Sequence, residues 1–74
     1  MSESQKKIEA LIEEAEGHPF GPQERALLAE AVRLAQESGD VELEYLARIR
    51  IIPSAEMTGD TDAVLSNFAW CVAK

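Results

Sequence analysis

Cysteine, histidine and aromatic side chains are nearly missing from this sequence, and each shortage closes off a class of chemistry. The one cysteine, Cys71, has no partner for an internal disulfide, which points to a reduced, cytoplasmic protein. The one histidine, His18, has Glu14 and Glu16 close by but no second histidine or cysteine, so it reads as a loop residue and no metal site is expected. Positive charge is scarce as well. Lys and Arg number 7 against 14 Asp and Glu, for a formal net charge of −7. A chain this acidic is a poor match for a phosphate backbone or an anionic lipid surface, so neither nucleic acid nor membrane is expected as a partner. No apolar run approaches the roughly 18 residues of a membrane span. The opening MSESQKKIEA is polar and unlike a secretion signal.

What remains is helix. With 74 residues the chain forms one domain, and its 46% hydrophobic content argues against disorder. The expected fold is all-α: antiparallel helical hairpins stacked as a short solenoid of about four helices. The organising stretch is Pro22 to Ile52, one helix, a tight turn at Ser38-Gly39-Asp40 and a second helix running back. In the first of these Leu27, Leu28, Ala31, Leu34 and Ala35 recur at helical spacing, with Val32 widening the stripe. Gly39 suits a left-handed helix end, and Asp40 suits the cap of the next helix.

Before this hairpin, Ile8, Leu11, Ile12 and Ala15 form a narrow apolar stripe beside an acidic face of Glu9, Glu13 and Glu16, read as solvated. Ser2 and Gln5 have capping-box spacing. Gly17 is placed to close this helix in a left-handed conformation, Phe20 to anchor the connector, and Pro22 to open the next helix.

After Asp40, the positions Val41, Leu43, Tyr45, Leu46, Ile49 and Ile52 cover more than one stripe, as in a helix with neighbours on two sides. Glu44 and Arg48 are spaced as a surface ion pair. The run RIRII alternates like a strand, but a lone strand among helices has nothing to pair with. Pro53 either ends this helix or kinks it; the helix-compatible SAEM that follows favours a kinked helix reaching Met57. Asp60 or Thr61 caps a last helix whose apolar residues (Val64, Leu65, Phe68, Trp70, Cys71 and Val72, with Ala63, Ala69 and Ala73) go nearly all the way round. Such a pattern marks burial on every side, either by further chain or by another copy. The chain is accordingly expected to be the beginning of a longer helical-repeat protein or a self-associating unit.

The turns Gly39-Asp40 and Gly59-Asp60 recur one helix apart. In the stretch GDTDAVLSNFAWC, Gly59 stands at an inter-helix turn, and Val64, Phe68 and Cys71 follow as small, aromatic and small positions of a second helix. This texture resembles the tetratricopeptide-repeat family, in the divergent form found in bacteria, over residues 22 to 74. The resemblance implies a right-handed stack of antiparallel helix pairs. It also implies a non-catalytic role: a concave surface that grips a peptide or helix of another protein.

The residues themselves offer no catalytic set. Cys71 lies on an apolar helix with no histidine near it, the carboxylates lie on polar faces, and Asp60 with Asp62 has too few companions for calcium. No cofactor is expected. The expected partner surface is formed by the second to fourth helices, with Tyr45, Ile49, Arg50, Phe68 and Trp70 as its candidate residues. Arg50 lies nearer the apolar side of its helix and is placed to reach a carboxylate in a groove or interface. Two other readings accompany this one: a structural module that homodimerises through the last helix, and a small-ligand regulatory domain with a pocket near Pro53.

Overall fold

The computed structural model describes residues 3–18 and 21–73, and all its regular structure is helical. The helices are α1 (Glu3–Glu16), α2 (Pro22–Ser38), α3 (Val41–Thr58) and α4 (Thr61–Ala73). Ser2, Pro19 and Phe20 lie outside the described residues, so the expected capping box and connector anchor do as well.

The helix ends follow from a few local residues. Gly39 and Gly59 both take the left-handed conformation, with φ of 73° and 75°. There the amides of the cap close back on the last turn of the preceding helix. A side chain at either position would sit in strained backbone, which is why glycine stands there. One residue later the aspartates restart the helix. Asp40 Oδ1 accepts from Leu43 N at 3.1 Å, and Asp60 Oδ1 accepts from Ala63 N at 3.1 Å. Pro22 opens α2, where a missing amide costs nothing. Gly17 departs from expectation: its φ is not positive, and α1 closes instead in a tightened turn, Gly17 N donating to Glu14 O at 3.0 Å.

α3 runs through Pro53 and ends at Thr58. The strand-like alternation of RIRII is overridden by capping and by packing on both sides. The buried residues of α3 (Leu43, Glu44, Ala47, Ile51, Ser54 and Ala55) fall along one broad arc of the helix.

Each helix packs on its neighbours in sequence. α1 also touches α3, and α4 lays its backbone on α3 alone. The result is an open array and not a closed bundle, a slab of 36 × 29 × 13 Å. Its core is small-grained: Ala15, Ala31, Ala35, Ala47 and Ala55 are buried, and among the largest fully buried side chains the only apolar ones are Ile8 and Leu28. Alanine lets the helices approach closely but removes little apolar surface from water, at about 25 cal/mol per Å². Burial therefore leans on a few large residues.

The largest difference from expectation lies in α4. Its apolar residues encircle it, yet only Asn67 and Cys71 are buried. Leu65, Phe68 and Val72 stand 61%, 58% and 69% exposed. α4 has a neighbour on one side only, so half of an all-round apolar helix faces water.

Candidate interaction surface

α3 holds the arrangement together through a polar network that joins three helices. Glu44 and Arg48, expected on the surface, are instead largely buried, with side chains 8% and 16% exposed. They come inside because α3 is covered by α2 on one side and α4 on the other. Arg48 Nε and Nη2 both lie 2.9 Å from Glu44 Oε2. The same oxygen accepts from Gln36 Nε2 of α2 at 3.1 Å. On its far side Arg48 Nη1 donates to Asn67 Oδ1 of α4 at 3.0 Å, and Asn67 Nδ2 donates to Ala63 O at 2.7 Å. Every named polar end in this chain has a partner, which is what a charge removed from water requires.

Trp70 caps the network. The Arg48 guanidinium lies 4.7 Å from its ring centroid, a cation–π contact. Tyr45 closes from α3, its ring 6.4 Å from Trp70 and tilted by 48°. Cys71 is buried beside this assembly, and burial pushes its thiol up from the ordinary range, partly opposed by the Arg48 charge. A thiol held protonated is a poor nucleophile, in keeping with a packing role.

On the face spanning α2 to α4 lies a groove of about 480 Å³ lined by Arg25, Ala26, Ala29, Val32, Ile51 and Asn67. Small residues line it along α2, and Ile51 and the edge of the buried network line it along α3 and α4. Its end is tied by Arg25 Nη2, which donates to Asp60 Oδ2 at 3.0 Å. Asp60 thus caps α4 with one oxygen and holds α2 with the other. Both bonds keep its carboxyl below the usual carboxylate range, the Arg25 bond most.

A second groove, of about 250 Å³, lies between α1 and α3 and is lined by Glu9, Ile12, Glu13, Glu16, Leu46 and Arg50. Arg50 Nη1 meets Glu16 Oε1 there at 2.6 Å, an ion pair between half-exposed side chains. The acidic face of α1 is therefore in part a docking edge for α3 and not wholly solvated.

Of the five candidate residues, the structure brings Tyr45 and Trp70 together and turns Arg50 toward α1. Ile49 and Phe68 are exposed at 41% and 58%. None of the five lines the α2–α4 groove. Arg25, Ala29, Asn67 and Asp60 were not legible as a set, because only Arg25 and Ala29 share a helical spacing, on α2, while Asp60 and Asn67 come from the turn before α4 and from α4 itself. The one available signal was Asn67, a polar residue on the buried side of an apolar helix.

All four arginines of the described residues are engaged by carboxylates. Arg33 joins Glu30 at 2.6 Å and also pairs with Glu37, and the others hold Asp60, Glu44 and Glu16. Uncompensated surface charge is consequently acidic. No described helix is long and apolar enough to cross a membrane. Compared with protein families, with curated proteins and with solved structures, the chain matches none.

Proposed function

We propose that this chain is a non-catalytic protein-interaction module, a tetratricopeptide-like scaffold that holds a peptide or helix of another protein on the face formed by α2, α3 and α4. The observation that supports it is the groove across those three helices, lined by Arg25, Ala26, Ala29, Val32, Ile51 and Asn67, the last of which also belongs to the buried polar network. A shallow, partly apolar channel fits an amphipathic segment, which docks by laying apolar side chains at helical spacing into a groove. The net charge of −7 favours a segment with basic flanks. Antiparallel helix pairs joined by recurring Gly-Asp turns suit this role, since such arrays offer extended surfaces rather than enclosed pockets.

The test is selection of helical peptides from a random library against the purified protein, followed by amide chemical-shift mapping. The expected outcome is a family of Lys/Arg-flanked apolar peptides that bind more tightly than about 100 µM and shift Ala29, Ile51 and Asn67. Ala29→Glu should abolish their binding without unfolding the chain, since Ala29 is exposed. Recovery of no such peptide, or of peptides that leave the groove unshifted, removes the proposal.

A further inference from the structure

The outer side of α4 is a separate surface. Leu65, Phe68 and Val72 follow one another at spacings of three and four residues and are each more than half exposed. That is the spacing of a seam along which two helices pack side by side. Ala69 and Ala73 are exposed on the same helix and are small enough for close approach.

Charge narrows what can cover this seam. α1, α2 and α3 each carry several acidic side chains, whereas α4 carries one charged side chain, Asp62, in its first turn. Two copies of a chain with a net charge of −7 repel through every other helix. Through α4 they meet without facing carboxylates, and each supplies the uncharged apolar seam that the other lacks. Direction follows from the same charges. A parallel pairing would set Asp60 and Asp62 of both copies side by side. An antiparallel pairing parts them by the length of the helix and opposes the helix dipoles favourably.

We propose that the outer stripe of α4 seats a second copy of this chain, antiparallel and two-fold symmetric, with Leu65 of each copy opposite Val72 of the other and the Phe68 pair near the axis. Such a contact is isologous, so it closes at the dimer. One helix face buries an area at the low end for specific interfaces, below ~1,200 Å² in total. The dimer is therefore weak and concentration-dependent, and it leaves the α2–α4 groove open, so peptide binding and dimerisation stand or fall separately.

Sedimentation equilibrium on the full chain tests it. The expected result is a monomer–dimer equilibrium with a dissociation constant of about 10–100 µM, weakened at least ~10-fold by Phe68→Glu. The geometry is tested by complementation. Leu65→Glu and Val72→Lys should each be monomeric alone and should form a heterodimer when mixed, because the introduced carboxylate and the introduced ammonium face each other only in the antiparallel arrangement. Recovered association also shows that both variants are folded. A wild-type chain that stays monomeric to ~500 µM, or a dimer indifferent to Phe68→Glu, overturns the proposal. Failure of the two variants to associate on mixing overturns the antiparallel arrangement.

Discussion

Arg48 spends its whole guanidinium on neighbours inside the fold: Glu44 and Asn67 take its N–H groups, and Trp70 covers its face at 4.7 Å from the ring centroid. An ion pair of this kind joins helices but does not by itself stabilise them, because the cost of taking both charges out of water is of the same order as their attraction. The cost of breaking it is asymmetric. Arg48→Ala leaves Glu44 buried without its counter-charge and is expected to lose about 3–5 kcal/mol in urea unfolding. The double change Arg48→Met with Glu44→Leu removes both charges and should recover at least half of that loss. A double variant no more stable than Arg48→Ala would show that the network contributes more than charge compensation.

The helix restarts are expected to be measurable one by one. Asp40→Ala removes a side-chain cap and should cost about 1 kcal/mol. Asp60→Ala removes a cap of the same kind together with the Arg25 tie. It should cost somewhat more, but only slightly, because the ion pair is open to solvent and screened. Gly39→Ala and Gly59→Ala meet no neighbouring atoms, so their cost is backbone strain alone, about 1 kcal/mol each. Thermal unfolding of the four variants checks this order.

These caps were legible in the sequence because they are local: a glycine, an aspartate and a helical repeat determine them within a few residues. The order and extents of the helices followed from the same signals, including a helix carried through Pro53. The Glu44–Arg48 pair was legible as a pair but not as a buried one. Its spacing is that of any surface pair, and only the arrival of α2 and α4 on either side of α3 takes it out of water. Phe68 and Trp70 show the same limit. An all-round apolar pattern says that α4 favours covering on every side, but not which side α3 takes. The backbone places Asn67 and Cys71 inward, and Phe68 is left in water. Arg25 and Asp60 meet across a long stretch of chain with no pattern to announce it.

Stability should fall at both ends of the pH range, for opposite reasons. The Glu30 and Asp60 carboxyls are held below their ordinary range, first by hydrogen bonds from Arg33 and Arg25 respectively. In acid the unfolded chain binds those protons first, so their contribution is complete above the unfolded carboxylate values and is lost as pH falls through the lower folded ones. Both groups face solvent, so the loss is modest and shrinks in salt. The expected sign is a falling Tm from about pH 5 to about pH 3, with a shallower slope in Asp60→Asn. Cys71 acts the other way. Burial raises its folded value, so its contribution is complete below the unfolded thiol range and is lost as pH rises through that range toward the folded value. Cys71→Ala should flatten the alkaline limb, and the native thiol should resist alkylation until the chain unfolds.

Pro53 and Ser54 are adjacent places where α3 carries a local cost. Proline has no amide to give to the Ile49 carbonyl, and its ring crowds the preceding turn. The Ser54 hydroxyl is buried, with the residue 1% exposed, and has no hydrogen-bond partner. Replacing a buried unpaired hydroxyl by hydrogen removes a desolvation penalty, so Ser54→Ala should stabilise the chain by about 1 kcal/mol. Pro53→Ala restores one backbone hydrogen bond but frees the unfolded chain, an entropic offset of about 0.4–1 kcal/mol. Against an interior proline cost of about 3 kcal/mol, the net should still be a gain of about 2 kcal/mol, read as a raised urea midpoint. Losing stability instead would mean that the local geometry proline imposes on α3 is needed for it to touch α1 through Arg50 and Glu16 while lying on α2 and α4. The two variants separate these causes, because Ser54→Ala leaves the backbone path unchanged and Pro53→Ala leaves the hydroxyl in place.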